Sequence, residues 1–362
     1  MNLETNGKEH GEYIKQTQDE RNRGILAAWL PYWVKNAFEN YAHIMEEAKS
    51  EHMCVSTIEK VKGKPAVIVG SGPSLDKTAP FLKDWKGAVF ACGSNALIPT
   101  RWGHKPEYIC VFDGGDTLYP KLMGYDWTGS TLLTHPSISP LILQNWKWKK
   151  KYYLMMHFGV QWFEEIQPLA YGDFMRMPWQ APPCIKICPG NSGCTSNNAI
   201  QLAHFLGYDP LFLIGVDFGY PEGKERCTRW VWVDGEWKNI GADSYNDRAL
   251  HEADNGVTTT EEQIEYKSAM MAVYKWDKPQ LFDCSEGIIT ELPKLNFEEV
   301  VKKNGRGFEE HYRTGEEIER ISNEYADSRE KLQDKGIEHR KGEDPIATIK
   351  RIASGNTGKI KG

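Results

Sequence analysis

Two runs of small polar residues, three acids and one histidine are the parts of this chain that could do chemistry. The first run is Gly70-Ser71-Gly72-Pro73-Ser74. Its glycines allow a sharp turn and the approach of a ligand without a Cβ in the way, with Gly72 expected at positive φ. Pro73 and Ser74 suit the first residues of a helix, where a missing N–H costs little and a hydroxyl can cap. A strand, turn and helix start of this kind offers free N–H groups and a positive dipole end to a nucleotide phosphate. An ordinary tight βα turn is the alternative, because the run is neither the dinucleotide fingerprint nor the P-loop. On the phosphate reading, Gly72→Val removes nucleotide binding and leaves the fold largely intact. The second run is Asn191-Ser192-Gly193-Cys194-Thr195, a loop ahead of a helix, with Asn191, Ser192, Gly193 and Thr195 as further phosphate or sugar contacts.

Asn95, Asp113, Asp116 and Asp217 all follow apolar runs. Hard carboxylate oxygens suit Mg²⁺, so Asp113, Asp116 and Asp217 are candidate metal-facing acids. Loop-capping acids at strand ends are the alternative. His251 lies in a polar stretch; its ordinary pKa near working pH suits it to take a proton from an acceptor, and a plain surface histidine is the alternative.

These residues need a scaffold that brings them together. Ala66–Val69, Ala88–Cys92, Pro106–Phe112 and Pro210–Asp217 read as buried strands, separated by crossover segments. Thr131–Thr134, Tyr152–Phe158 and Gln280–Cys284 are further strands. The alternation predicts a Rossmann-like, three-layer α/β/α domain with a mostly parallel sheet, in which ligands sit outside the carboxyl ends of the strands. Lys77–Lys86, Asn198–Leu206 and Thr259–Trp276 read as helices. Gly207 follows the second of these as its C′ residue, and a Thr-x-x-Gln start opens the third. Trp230–Trp237 reads as a hairpin around Asp234-Gly235, and Phe174–Lys186 as a loop or lid. The expected organisation is a helical extension over 1–63, a nucleotide-binding transferase domain over 64–300 and a charged helical and disordered tail over 301–362. Apolar residues at Leu30, Trp33, Val34, Phe38, Tyr41, Ile44 and Met45 predict amphipathic helices in the extension, which pack on the domain or on a second copy of the chain.

Composition narrows the class. The chain has 362 residues, 40% hydrophobic and 26% charged, as in soluble globular proteins. A net charge of -6 argues against a general nucleic-acid surface. No apolar run approaches the length of a membrane span. The 8 cysteines form no CxxC pair, so no structural zinc is expected. With no signal peptide ahead of them they read as reduced thiols of a cytoplasmic protein.

Taken in order, Val67-Ile-Val-Gly-Ser-Gly-Pro-Ser-Leu75, Cys92-Gly-Ser-Asn-Ala-Leu97 and Lys105-Pro-Glu-Tyr-Ile-Cys-Val-Phe-Asp113 resemble the family that contains archaeal 6-hydroxymethylpterin diphosphokinase. That family includes the central domain of motility-associated flagellar glycosyltransferases. Gly190-Asn-Ser-Gly-Cys-Thr195, Leu213-Ile-Gly-Val-Asp-Phe-Gly-Tyr220, Asn255-Gly-Val-Thr-Thr259 and Asp283-Cys-Ser-Glu-Gly287 fit it too, so that the resemblance runs from about Lys64 to Leu292. It implies pyrophosphoryl transfer from ATP to a hydroxymethyl-type acceptor. Gly70-Ser-Gly-Pro-Ser-Leu75, Asn191-Ser-Gly193 and Gly215-Val-Asp-Phe218 are more distantly similar to bacterial sialyltransferases that use CMP-sugars. This implies the alternatives of a small-molecule or glycan acceptor with a nucleotide-activated sugar as donor, and of His251 as base. A nucleotide-binding module without catalysis is the third alternative.

Overall fold

The computed structural model describes residues 32–33, 35–40, 42–44, 46–47, 55–122, 125–145, 147–153, 194–241, 250–253, 255–277 and 279–308. Seven strands form one sheet: β1 (Lys64–Val69), β2 (Ala88–Cys92), β3 (Tyr108–Cys110), β4 (Thr131–Thr134), β5 (Lys150–Tyr153), β6 (Tyr208–Ile214) and β11 (Leu281–Asp283). Their order is β11-β6-β1-β2-β3-β4-β5, and every pairing is parallel. The Rossmann-like α/β architecture expected from the sequence is the one observed. Parallel strands covered on both faces need apolar side chains on both, and β1 from Ala66, all of β2 and β6 from Leu211 are buried throughout.

From β1 the chain steps outward through β2 to β5, then returns to lay β6 on the other flank of β1. The switch point therefore lies between β1 and β6, and the loops after the strands gather at its carboxyl edge.

The intervening helices are α1 (Leu75–Thr78), α2 (Leu97–Arg101), α3 (Tyr119–Leu122), α4 (Pro140–Asn145), α5 (Thr195–Phe205), α6 (Glu261–Asp277) and α7 (Phe297–Lys302). The helix expected over Lys77–Lys86 is instead a single α turn followed by a 3₁₀ segment, Ala79–Asp84. Pro80 has no N–H to continue the ladder and its ring crowds the preceding turn. The strand expected from Pro106 pairs only from Tyr108. α5 ends as its sequence predicts: Gly207 has φ +88°, and a Cβ there would run into the carbonyl of Val61. α6 starts at Thr260, whose hydroxyl accepts the Gln263 amide at 3.4 Å.

The hairpin is present as β7 (Arg229–Val233) and β8 (Glu236–Gly241), turning at Asp234 and Gly235 with φ of 54° and 80°. A second small pair, β9 (His251–Glu252) and β10 (Thr258–Thr259), is antiparallel. Beyond residue 300 the chain still packs on the domain. Phe308 lies against Phe212 and Phe282, which stack 5.4 Å apart in the core.

Residues 32–47 are helical where described; of the expected apolar stripe Ile44 is buried and Trp33 half-buried, and Leu30, Val34, Tyr41 and Met45 lie outside the described residues. Asn36, Ala37, Asn40 and Ile44 are buried, whereas Phe38 is 67% exposed. Ala37 and Ile44 join the apolar core, while Asn36 and Asn40 are buried because they reach main-chain carbonyls.

Candidate functional site

The turn after β1 is held by the loop after β6. Gly70 N–H donates to Ile214 O at 2.9 Å and Gly72 N–H to Gly215 O at 2.7 Å. A Cβ on Gly70 would overlap the Gly215 carbonyl, and one on Gly72 would overlap the Asp217 carboxylate and lie 2.7 Å from its Cγ. Gly72 is not at positive φ. Glycine is needed at 70 because the Gly215 backbone approaches closely and at 72 because the Asp217 carboxylate fills the space of a Cβ, not for a left-handed conformation.

Asp217 is buried, and both of its oxygens accept main-chain amides: Ser74 N on Oδ2 and Glu286 N on Oδ1, each at 2.9 Å. It thus ties the turn after β1 to the loop after β11, where Gly287 presses on the Asp217 backbone so closely that a Cβ would overlap it. Burial pushes the Asp217 carboxyl above its ordinary range, opposed by the Ser74 and Glu286 hydrogen bonds and the charge of Lys294. Ser74 forms no side-chain cap, contrary to expectation: its backbone is already helical, with φ -61° and ψ -16°, where a capping residue is extended. The single-turn α1 also carries little dipole. The helix that brings a full N-terminus to this edge is the 11-residue α5, opened by Cys194 and Thr195.

The segment after β6 crosses the edge and reaches the same turn. Cys227 N–H donates to Ser71 O at 3.1 Å, and Asn95 Nδ2 donates to the buried Cys227 Sγ at 3.1 Å. Asn95 is itself buried, and its Oδ1 has no donor among the described residues. Lys77 of α1 reaches Glu222 at 2.8 Å and Glu286 at 2.6 Å on the surface. Arg226 and Arg229, on either side of Cys227, lie near Lys121 of α3. Burial lowers the Lys121 pKa, the two arginines lower it further, and Asp113 opposes them.

Asp113 is exposed after β3, and its Oδ1 accepts the Gly115 amide at 2.8 Å. Asp116, also exposed, accepts a short hydrogen bond from the Ser139 hydroxyl. Asp113 and Asp217 both follow parallel strands and so lie at the same edge, but β3 and β6 are three strand spacings apart, about 14 Å. Among the described residues no group of three or more His, Cys, Asp or Glu side chains could hold a metal ion.

His251 lies apart from this network of contacts. It is on β9, half exposed, with Nε2 3.8 Å from Glu261. β10 fastens this pair to the loop after Asp217, through Tyr220 N–H to Thr258 O at 2.6 Å and the Thr259 hydroxyl to Phe218 O at 2.7 Å. Thr195 is the first residue of α5. Asn191, Ser192, Gly193 and the Phe174–Lys186 loop lie outside the described residues.

The match to known families covers most of this edge. The 6-hydroxymethylpterin diphosphokinase MptE-like family matches residues 35–223, just over half of the chain. The chain belongs to this family. No curated protein matches it. Among solved structures it is similar to the sialyltransferase CstII from Campylobacter jejuni in complex with a substrate analogue, cytidine-5'-monophosphate. The identity is 14%, covering 65% of this chain and 86% of that one, with a TM-score of 0.26. Among the described residues no helix is long and apolar enough to cross a membrane.

The family segment includes a contact that apolar spacing hid. Asn36 Nδ2 donates to Gly114 O at 2.8 Å and Ser137 O at 3.2 Å; Asn40 Nδ2 donates to Pro136 O at 3.0 Å and Ile138 O at 2.8 Å. The N-terminal helix thereby holds the loops after β3 and β4, including the one that carries Asp113 and Asp116. His135, in the second loop, is buried against the Phe112 ring. Its Nδ1 accepts the Ser137 amide at 3.2 Å, so Nε2 carries the proton and donates to Phe112 O at 2.7 Å. Burial pushes this imidazole down to about 4, opposed by the Phe112 carbonyl and Asp113.

Beyond the family segment, Asp283 is wholly buried. It accepts the Ser285 amide at 2.7 Å and a short ion pair from Lys294. Burial raises its carboxyl to about 6 against the pull of Lys294. Lys267 and Glu291 form a buried pair at 2.7 Å. Spacing does not announce these pairs, since each joins residues that only the fold brings together.

Proposed function

We propose that the chain is a nucleotide-dependent transferase that moves a pyrophosphoryl group from ATP to a hydroxymethyl-type acceptor. One observation carries this reading besides family membership: the loops after β1, β2 and β6 are stitched together at the switch point, through Ser71, Asn95, Cys227, Ser74 and Asp217. Asn95 Oδ1, buried without a donor, suits a hydroxyl or N–H of the nucleotide. Arg226, Arg229 and Lys121 supply positive charge beside Asp113, where a polyphosphate needs it and no P-loop lysine is present.

Asp217 acts as an anchor, since its oxygens are committed to two amides. Asp113 and Asp116 are exposed and each has an oxygen to spare, which fits Mg²⁺ held partly by substrate phosphates. When bound, the ion neutralises phosphate charge. In the transfer, the acceptor hydroxyl oxygen bonds to the β-phosphorus of ATP, the bond from that phosphorus to the α–β bridging oxygen breaks, AMP leaves and the hydroxyl proton passes to solvent or to a carboxylate. Incubation with ATP, Mg²⁺ and 6-hydroxymethylpterin, followed by ³¹P NMR, tests this. AMP formed in step with a diphosphorylated acceptor is the expected result, and Asp113→Asn is expected to slow it. Release of CMP from a CMP-sugar instead would replace this reading with glycosyl transfer. Nucleotide binding with neither product would leave a binding module.

A further inference from the structure

Residues of α1, α2 and the β7–β8 hairpin line a half-open pocket of about 250 Å³. Its floor is apolar and includes Ile98, its walls include the indoles of Trp102 and Trp230, and Asp76, Thr228 and Asn239 bring polar groups to it. The walls are braced from behind. The Arg101 guanidinium stacks 3.7 Å from the Trp230 ring centroid and 4.6 Å from that of Trp102. Asp76 is braced too, by the Thr228 amide at 2.9 Å and the Thr228 hydroxyl at 2.9 Å. These bonds fix its carboxylate while leaving acceptor capacity, since a carboxylate has about four lone-pair sites. The Asn239 carbonyl oxygen accepts the Gly241 amide at 2.7 Å, which turns its NH₂ into the group's available donor.

We infer that this cavity binds a single uncharged pyranose ring. Aromatic walls with a few fixed polar groups describe a ligand pocket, and the volume is below the roughly 300–1,000 Å³ of drug-sized sites, so it suits one ring and not a nucleotide. The polar groups come from α1, from Thr228 just ahead of β7 and from β8, and include acceptors and a donor. A pyranose carries hydroxyls, each both donor and acceptor, around its whole rim. Its C–H face is apolar and matches an indole. A flat heteroaromatic ring carries its polar atoms on fewer edges. Three of the six named residues, Thr228, Trp230 and Asn239, lie beyond the segment the family matches. The site stands independently of the donor proposed above.

The experiment is saturation-transfer NMR of the full chain with a panel of methyl pyranosides and, separately, adenosine and 6-hydroxymethylpterin, all without ATP or Mg²⁺. At least one pyranoside is expected to bind, with its ring C–H protons nearest the protein. Asp76→Asn and Asn239→Ala, each checked for native unfolding behaviour, are expected to weaken it by at least about tenfold. ATP binding to Asn239→Ala should match wild type. Absence of transfer to every pyranoside, unchanged affinity in both variants, or preferential binding of the flat heterocycles at this site would overturn the inference.

Discussion

The Asp217 carboxylate stands where a side chain on Gly72 would have to go. The turn after β1 and the loop after β6 are thus interlocked, with the Ser74 amide 2.9 Å from the same carboxylate. The expectation that Gly72→Val spares the fold is overturned. Even Gly72→Ala is expected to cost about 1–3 kcal/mol, as overpacking does in a buried contact. Denaturant unfolding of Gly72→Ala, Asp217→Ala and the double variant checks this. The two single losses should exceed the loss in the double variant, because alanine at 217 vacates the space that alanine at 72 needs. Strict additivity would contradict the interlock.

The clamp from Asn36 and Asn40 onto the β3 and β4 loops gives a second prediction. Asn40→Leu leaves the carbonyls of Pro136 and Ile138 without their donor and is expected to destabilise by about 1–3 kcal/mol. Hydrogen exchange should quicken at residues 113–116 and 136–138 before it does in β1 or β6. A uniform change across the domain would mean that the helix acts only as a general cover.

Two buried groups oppose each other with pH. His135 is pushed down from 6.5 to about 4, so its contribution is present above 6.5 and is lost as pH falls through 4. Asp283 is pushed up from 3.8 to about 6, so its contribution is present below 3.8 and is lost as pH rises through 6. Each window corresponds to about 3 kcal/mol, with opposite sign. Between pH 6.5 and 4 the two largely cancel. Relative to wild type, Asp283→Asn should lose stability over that interval and His135→Gln should gain it. Parallel curves for all three proteins would refute both assignments.

The buried Lys267–Glu291 pair supplies a fourth test. Lys267→Met alone strands a buried carboxylate and is expected to cost about 3–5 kcal/mol, whereas Lys267→Met with Glu291→Leu should recover most of that loss. Calorimetric Tm values for the three proteins decide it. Equal losses in single and double variants would show that packing, not charge, governs the position.

The strands around the site were legible because burial on both faces leaves uninterrupted runs such as Ala66–Val69 and Ala88–Cys92. The residues at their carboxyl ends were legible from the same runs, since a strand boundary tells where the loop begins. What each residue does there was not. Gly72 and Asp217 are 145 positions apart, and nothing local says that the carboxylate fills the space beside the glycine rather than facing a ligand. On the N-terminal helix two buried positions escaped the apolar spacing for a related reason. Its buried stripe includes Asn36 and Asn40 because they reach carbonyls, and an apolar periodicity passes over positions that are satisfied by amides.

The same interlock bears on how this motif is inherited. Gly70, Gly72, Asp217 and Gly287 constrain one another through contacts within the chain, so selection for folding alone retains them. A descendant that had given up its ligand would go on displaying Gly-Ser-Gly-Pro-Ser unchanged, and on the proposed function its loss of activity would register first at an exposed residue such as Asp113.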